Sequence, residues 1–207
     1  MNEQLVLGLS LKEALEKEDF FISSSNLDAV TLLDNTDRWA SGVLLLVGPK
    51  GSGKTHLSTV WSKENKAKHV KLEAVLREME NGLDHEFVCV EDIDVIEKAE
   101  RQKKLKIEES IFHLINNIGS RGGNLLISSR IMPNALSIGI KDLESRLQSF
   151  SNTTIKEPDD TLVMALLLKY FNDRQIFVKH SNLDYIAARI SRTYSSIYEF
   201  VNYVDHK

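Results

Sequence analysis

The chain has 207 residues, with 26 Lys and Arg against 30 Asp and Glu, and a formal net charge of -4. This length predicts one domain, or one domain with a small appendage, and allows a sizeable apolar core. The single Cys excludes a disulfide scaffold, and the 10 Gly and 3 Pro exclude collagen-like and low-complexity chains. The negative charge argues against a dedicated DNA-binding surface.

Apolar residues do not form a run long enough for a membrane span. The longest run, Leu162 to Leu168, is far shorter than the ~18 residues that a spanning helix needs. The first residues, Met-Asn-Glu-Gln-Leu, lack the basic segment and the long apolar stretch of a secretory signal. We therefore expect a cytoplasmic protein without a membrane partner.

Strand-like and helix-like segments alternate along most of the chain. In chain order, the pattern predicts a helix over 27–33, a strand over 42–47, a helix over 55–64, a strand over 69–72, a helix over 73–80, a strand over 87–90, a helix over 106–118, a strand over 124–128, a helix over 141–148, a strand over 153–156, and then only helices over 161–170, 183–190 and 195–204. Buried strands that alternate with amphipathic helices are typical of a parallel sheet. The expected fold class is α/β, a five-stranded parallel sheet with helices on both faces, followed by a three-helix lid. The expected parts are a peptide and linker over 1–17, an α/β body over 18–157 and a lid over 158–207.

A complete phosphate-loop pattern, G-x-x-x-x-G-K-[ST], covers Gly48 to Thr55. Glycines allow backbone N–H groups to converge on phosphate oxygens, and the N-terminus of the following helix adds a positive dipole. We expect Lys54 to bind the β- and γ-phosphates and Thr55 to ligate Mg²⁺. The predicted nucleotide-binding residues of this segment are Gly48, Gly51, Ser52, Gly53, Lys54, Thr55 and His56.

Two acids, Glu91 and Asp92, follow the apolar strand that begins at Phe87. A Mg²⁺-nucleotide site needs carboxylates opposite the loop, one for the metal and one that orients or deprotonates the attacking water. We assign Glu91 to the metal and Asp92 to the water. The alternative is that these acids only face solvent, as strand ends often do. Cys89, in the middle of the strand, is expected to be inert packing.

Three arginines are placed where a cation can act on phosphates. Arg130 follows a predicted strand, at the end of a parallel sheet where ligands lie. Arg146 precedes the last strand and is a candidate to reach the triphosphate of a neighbouring molecule, where such a charge is worth ~10³–10⁵ in rate. Arg192 is expected to open the last helix and contact the bound phosphates. The alternative for each arginine is that it has no role at the phosphates and only forms a surface ion pair or lies at the end of a helix.

Basic and acidic residues are interleaved between Glu97 and Glu109. No aromatic residue interrupts this run, so stacking on nucleic-acid bases is unsupported. We expect a solvated helix face, which includes Glu108, rather than a nucleic-acid patch. The six His show no metal-ligand spacing with the cysteine.

Together these motifs resemble the DnaA-type branch of the AAA+ ATPases, over about residues 18–205. The Gly48–Thr55 and Glu91–Asp92 segments match its Walker A and Walker B elements. Three further segments resemble its sensor 1, its arginine-finger box and its sensor 2, namely Ser128-Ser129-Arg130, Ser145-Arg146-Leu147 and Arg192. Residues 20–26 resemble the segment that borders the adenine. The resemblance implies an AAA+ fold, ADP or ATP with Mg²⁺, and a role in DNA replication.

The N-terminal residues resemble a docking peptide. Gln4-Leu5-Val6-Leu7-Gly8-Leu9 is similar to the Q-L-x-L-x-L peptide that binds the β sliding clamp, and its predicted contact residues are Gln4, Leu5, Leu7 and Leu9. The sequence stops where the initiator would continue into a helix-turn-helix domain. This layout is that of the Hda proteins, and the motifs are most similar to their alphaproteobacterial form. The resemblance implies an inhibitor of re-initiation that stimulates ATP hydrolysis by DnaA. The alternative is a tail without a partner.

Two site positions depart from the initiator, because Glu91 and Ser129 stand where it usually has Asp. Three functions stay open. The first is a regulator that offers Arg146 to DnaA and reaches DNA only through the clamp, with weak turnover of its own. The second is a self-sufficient ATPase that loads or remodels a partner and uses Arg146 on another copy in a homo-oligomer. The third is an adaptor in which ADP is a structural ligand.

Overall fold

The computed structural model describes residues 20–207. The predicted clamp-binding residues Gln4, Leu5, Leu7 and Leu9 lie outside the described residues. The five strands are β1 (Val43–Val47), β2 (Lys68–Lys71), β3 (Phe87–Glu91), β4 (Asn124–Ser129) and β5 (Ser151–Thr154). The α-helices are α1 (Leu27–Leu33), α2 (Lys54–Glu64), α3 (Leu72–Glu80), α4 (Arg101–Ser120), α5 (Lys141–Ser149), α6 (Asp160–Asp173), α7 (His180–Ala187) and α8 (Tyr194–Asp205).

The strands form one sheet in the order β2-β3-β4-β1-β5. Every neighbouring pair is parallel, so all five carboxyl ends lie at one edge. Strand β1 is apolar throughout, and β3 and β4 have apolar central residues, because the sheet is covered on both faces. The predicted fold class, a five-stranded parallel sheet surrounded by helices, is confirmed.

Side chains of successive strand residues point to opposite faces of the sheet. On one face, Val43 and Leu45 of β1 belong to the same apolar cluster as the inner sides of α3, α4 and α5. On the other face, Leu44 and Leu46 pack with α1, α2 and Cys89. Cys89 is fully buried, as expected for packing. The two layers of helices therefore leave only the edges of the sheet for a site.

Several element boundaries differ from the sequence prediction, and α6 covers 160–173 rather than 161–170 while α7 covers 180–187 rather than 183–190. Helix α4 begins at Arg101 rather than at 106, because its first turn is charged and carries no apolar periodicity. Strand β5 covers 151–154 rather than 153–156, because it is polar and its register is set by pairing with β1.

The prediction of a solvated helix face between Glu97 and Glu109 is wrong at one residue. Glu108 is only 1% exposed, and its carboxylate accepts hydrogen bonds from the backbone N–H groups of Gly139 and Ile140 at 2.9–3.0 Å. A buried charge is tolerated when backbone donors satisfy it. Glu97 likewise accepts a hydrogen bond from the Ser137 N–H group at 2.6 Å. These acids fix the turn before α5.

The last three helices, α6 to α8, share a core of their own, and we call them the lid; the sheet with its other helices is called the body. Val163 and Leu167 of α6, Leu183 of α7, and Ile197 and Val201 of α8 are buried together. The amphipathic stripe of α8 therefore faces α6, as its spacing predicts. None of the helices in residues 20–207 is both long and apolar enough to cross a membrane.

Candidate functional site

The phosphate-loop pattern lies at the carboxyl edge of the sheet, between β1 and α2. Gly51 and Gly53 have φ values of +83° and +88°, which only glycine adopts without strain. A Cβ on Gly53 would lie 2.6 Å from the ring of Phe20, and one on Gly48 would lie 2.8 Å from Ser52 Oγ. The turn is therefore closed by side chains that a larger residue would displace.

Lys54 lies inside this turn. It is 6% exposed, and its Nζ donates hydrogen bonds to the carbonyl oxygens of Gly48 and Pro49 at 2.8 and 2.9 Å. Burial lowers the pKa of Lys54, and the charge of Asp92 opposes that shift. The ammonium group is thus held at the loop by neutral acceptors, which an anionic phosphate can replace.

The hydroxyl group of Ser52 has no hydrogen-bond partner among residues 20–207, although it is buried. A buried polar group without a partner is costly. Ser52 is 3% exposed and points toward the Cα of Gly48. Such a donor inside a glycine turn at a helix N-terminus suits a phosphate oxygen.

Thr55 and Glu91 face one another across the turn. Hydrogen bonding from His69, and secondarily from Thr55, lowers the pKa of Glu91 below its usual range. A hydroxyl and an ionised carboxylate are ligands that Mg²⁺ prefers, so these two residues fit the predicted metal. No cluster of three or more His, Cys, Asp or Glu among residues 20–207 could hold a metal ion. Phosphate and water oxygens would have to complete the coordination.

Asp92 follows β3 in a left-handed conformation, with φ 56°. Its N–H group donates to Ser128 Oγ at 3.0 Å, and its carboxylate lies 3.7 Å from Arg130. The Arg130 guanidinium also lies 3.8 Å from Asp94, which accepts the Arg130 N–H at 2.8 Å. Asp92 and Arg130 therefore stand side by side at the ends of β3 and β4. Ser129 is fully buried and bonds to Ile131 in its own turn.

A cleft opens between the loop and the lid. Its cavity volume is about 110 Å³. The aromatic rings of Phe20 and His56 lie 5.5 Å apart in its wall. Its residues come from three parts of the chain, and they include Phe20, Phe21, Asn26, Gly51, Ser52, Gly53, His56, Leu162, Leu166, Lys169, Tyr170 and Tyr194.

The segment before α1 is shaped by Asn26, which is 2% exposed. The Asn26 side chain makes no cap hydrogen bond to α1. It donates instead to the Phe21 carbonyl and accepts from the Ser23 N–H group, both at 2.9 Å. This contact holds the backbone of the aromatic pair Phe20–Phe21 against the cleft.

Two contacts join the lid to the body beside the cleft. Ser24 donates to the Asp159 carboxylate at 2.6 Å, and Asp159 also accepts from the Leu162 N–H group as the N-cap of α6. The Tyr194 hydroxyl donates to the Lys156 carbonyl at 3.1 Å. Burial raises the pKa of Tyr194 to about 12, so the donor keeps its proton at neutral pH.

Arg192 lies two residues before α8, rather than at its first position. Its guanidinium is 61% exposed and pairs with Asp160 at 2.7 Å. It is not among the residues that line the cleft, so the described conformation does not bring Arg192 together with the loop.

Arg146 lies on α5, and its side chain is 38% exposed. Its guanidinium donates to Asn116 Oδ1 at 2.7 Å, lies 3.6 Å from Asp142 and sits over the ring of Phe112 at 4.8 Å. Phe112 and Asn116 belong to α4, so one helix orients the arginine of another. The ion pair with an acid of its own helix, which is the alternative to a functional role, also occurs, through Asp142.

Sequence reasoning missed one residue beside the site, His69. His69 Nε2 lies 3.3 Å from Glu91 Oε1 across the β2–β3 pair. Hydrogen bonding to Cys89, and then to Glu91, raises the pKa of His69 to about 10. His69 lies in a predicted strand, and its contact with Glu91 depends on how that strand is paired with the strand that ends in Glu91. A single sequence does not show which residues of two strands lie side by side.

Known proteins with similar sequences include a replication initiator. No family model matches the sequence. An uncharacterized protein of Haemophilus influenzae is 27% identical over 218 residues, which cover 99% of this chain and 91% of that protein. The chromosomal replication initiator protein DnaA of Helicobacter pylori strain HPAG1 is 24% identical over 200 residues, which cover 88% of this chain and 44% of DnaA. The chain thus spans less than half of that relative.

Solved structures of DnaA share the fold. Domain III of DnaA from Thermotoga maritima has a TM-score of 0.70 at 19% identity, and the match covers 94% of this chain and 88% of that one. AMPPCP-bound DnaA from Aquifex aeolicus has a TM-score of 0.70 at 16% identity, covering 95% of this chain and 66% of that one. The sheet, the loop at its edge and the following helices therefore form a DnaA-like AAA+ fold.

Proposed function

We propose that this chain is a DnaA-related nucleotide-binding regulator of replication initiation. It binds ADP or ATP with Mg²⁺, docks on the β sliding clamp through residues 4–9, and stimulates ATP hydrolysis by DnaA in trans through Arg146. The observation that carries the proposal is the exposure and orientation of Arg146. Its guanidinium is partly exposed at the surface of the body, and residues of α4 orient it. This is the more specific, Hda-like function among those that the DnaA-like fold allows.

Nucleotide binding is supported by the chemistry of the loop. Lys54 supplies a cation, Ser52 supplies a donor without a partner, and Thr55 with Glu91 supplies the oxygen ligands for Mg²⁺. The rings of Phe20 and His56 offer an aromatic wall for a base. The Aquifex aeolicus relative of the same fold is bound to AMPPCP, an ATP analogue.

The contacts of Arg146 are suited to a residue that acts on another molecule. Its ion pair with Asp142 is exposed, and such pairs contribute only about 0–1 kcal/mol. The Phe112 ring and the Asn116 amide orient the guanidinium without neutralising it. Exchanging these contacts for a triphosphate therefore costs little, while the gain in rate for the receiving site is ~10³–10⁵.

Clamp binding is supported by the chemistry of the N-terminal sequence. The Gln4 amide can hydrogen-bond in a small pocket while Leu5, Leu7 and Leu9 fill an apolar groove. Each buried leucine contributes about 1.5–3 kcal/mol before the ordering of the peptide is subtracted. A micromolar affinity, about -8 kcal/mol, is therefore within reach.

The decisive experiment measures ATP hydrolysis by DnaA with DNA-loaded clamp and this protein. We expect Arg146→Ala to abolish the stimulation while clamp binding stays intact, because only the guanidinium is lost. Lys141→Ala, which removes a 90% exposed cation from the same helix, is the matched control and should stimulate normally. Full stimulation by Arg146→Ala would overturn the assignment of the arginine.

A second experiment separates docking from catalysis. The double variant Gln4→Ala with Leu7→Ala should lose clamp binding and, with it, stimulation on loaded clamp. Its nucleotide affinity should not change, because the loop is untouched. Retained clamp binding would remove the terminal peptide from the mechanism.

The second candidate is a self-sufficient ATPase that loads or remodels a replication partner. It is favoured by Asp92, whose carboxylate is 37% exposed at the end of β3 beside Arg130. If this candidate is right, the purified chain turns over ATP alone and Asp92→Asn abolishes that turnover. Stimulation of DnaA without turnover of its own would favour the regulator instead.

A further inference from the structure

His69 and Glu91 form a partly buried pair that the phosphate-loop motifs do not include. His69 Nε2 lies 3.3 Å from Glu91 Oε1, and the two side chains are 27% and 10% exposed. Both atoms are buried, and neither makes a well-formed hydrogen bond to any group in residues 20–207, so their contact is an ion pair. The imidazole is therefore placed where Glu91 is its nearest ionic partner.

The pairing follows from the register of the sheet. His69 is paired with Cys89 in the parallel β2–β3 ladder, so their side chains point to the same face. Glu91 follows Cys89 by two residues and therefore also points to that face. This is the face on which α2 packs, and α2 begins with Lys54 and Thr55. Strand β2 thus places the imidazole of His69 behind the carboxylate that faces the loop.

Glu91 needs such a partner because it is longer than aspartate. The extra methylene adds a rotatable bond, and fixing a long acidic side chain costs conformational entropy. Thr55 holds the carboxylate from the loop side, and His69 holds it from the strand side. With contacts on both sides, the carboxylate has less freedom to turn away from Thr55.

We propose that His69 is a positioning residue that orients the Glu91 carboxylate for Mg²⁺ in the nucleotide site. This inference rests on the proposed function as a nucleotide-binding protein and deepens it. In known metal sites, a partner that orients a ligand typically changes metal affinity by ~10–100-fold when it is removed. His69 contacts Glu91, so its proposed effect on Mg²⁺ binding passes through that carboxylate.

The test separates metal affinity from nucleotide affinity. A fluorescent ADP analogue is titrated into the native chain, His69→Phe and His69→Gln, first in EDTA and then with increasing MgCl₂. We expect affinity in EDTA to be the same in all three proteins. The MgCl₂ concentration that gives half of the Mg²⁺ effect should rise ~10–100-fold in His69→Phe. His69→Gln, whose amide can donate near the position of Nε2, should recover most of the native response.

The controls keep the outcomes distinct. His85→Phe changes an exposed histidine outside β2 and should leave the Mg²⁺ response native. Circular dichroism checks folding, and His69→Val, a strand-favouring apolar change, replaces His69→Phe if the larger ring disturbs the fold. A native Mg²⁺ response in the folded apolar variant would overturn the role of His69 alone. Absence of ADP binding by the native chain would overturn the proposed function, and this inference with it.

Discussion

Single residues of the phosphate loop tolerate few substitutions. Gly53 combines a left-handed backbone with direct contact to Phe20, whereas Gly82 has a similar φ of +75° and open space around its Cα. Lys54 and Ser52 are buried polar groups whose partners are few. The loop is therefore sensitive to two separate kinds of change, backbone strain and contact with the cleft wall.

Gly53→Ala and Gly82→Ala separate these two effects. Each variant forces alanine into the left-handed region, at a cost of about 1–2 kcal/mol, so both should unfold at lower urea concentration by a similar amount. Only Gly53→Ala pushes the Phe20 ring, which lies 2.6 Å from the new Cβ. We therefore expect only Gly53→Ala to weaken binding of a fluorescent ADP analogue, by roughly tenfold or more. Equal ADP affinity in the two variants would contradict the place of Phe20 in the cleft.

The predictable residues are those whose signal is local in sequence. The loop from Gly48 to Thr55 is a contiguous pattern, and the acids after β3 follow directly from an apolar strand. His69 and Glu108 were not predicted, because their roles depend on neighbours that are 22 and 31 residues away. A charged residue inside a charged run, such as Glu108, carries no sign of burial. Only the packing of α4 against the 139–140 turn shows it.

At the scale of elements, helices are positioned by buried polar contacts as well as by apolar packing. Glu108 of α4 binds the N–H groups that precede α5, and Asn116 of the same helix holds Arg146 of α5. The long helix α4 therefore sets both the start and the functional side chain of α5. Strand β5 was misplaced from sequence for the same reason, because its polar residues obtain their register from β1 rather than from a pattern of their own.

Glu108→Gln tests the link between α4 and α5. Gln keeps one acceptor oxygen but loses the charge, and hydrogen bonds to charged groups contribute about 1.5–3 kcal/mol. We expect the free energy of unfolding in urea to fall by about 1–3 kcal/mol, with weaker stimulation of DnaA because α5 is less fixed. Glu109→Gln changes the exposed neighbour on the same helix and should have little effect on either measurement. A stable Glu108→Gln variant would mean that the carboxylate is not needed there.

The N-cap of α6 gives a prediction for acid pH. Hydrogen bonding from Ser24, and then from the Leu162 N–H group, lowers the pKa of Asp159 below its usual value of 3.8. A lowered pKa means that the charged form stabilises the folded state above pH ~4, and that this stabilisation is lost as the pH falls through the folded-state pKa. Asp159→Asn keeps a cap but has no proton to bind.

We therefore expect the native chain to exceed Asp159→Asn in stability at pH 7 and the gap to close between about pH 4 and pH 2. Urea unfolding at a series of pH values measures the gap. Asp37→Asn removes an exposed carboxylate from the body and is the control. A gap that stays constant to pH 2 would show that the Ser24 contact does not depend on the charge of Asp159.

At the scale of the whole molecule, the lid is too small to be independent. Its three helices bury a short apolar core, and domains of this size are marginal without further support. Support comes from Leu162 and Tyr194, which are 3% exposed and belong to the core cluster of the body. The cleft lies at this junction, so the same contacts that stabilise the lid also shape the site.

Tyr194→Ala should break this coupling. The two Trp of the chain, Trp39 and Trp61, stack in the body, so their fluorescence reports the body alone, whereas circular dichroism also reports the lid helices. In the native chain, we expect both signals to change together in urea. Removing the buried ring lowers the free energy of unfolding by about 3 kcal/mol or more. Because the lost contacts join the lid to the body, the lid helices should unfold first. The circular dichroism signal should therefore change at a lower urea concentration than the fluorescence.

Tyr203→Ala is the matched control, because Tyr203 lies on the same helix and is 64% exposed. Its two transitions should stay coincident, and its ADP affinity should stay native. Tyr194→Ala should also bind ADP more weakly, since Tyr194 lines the cleft beside Gly51. Coincident transitions in Tyr194→Ala would mean that contacts other than this ring, such as Ser24 with Asp159, are enough to couple the lid to the sheet.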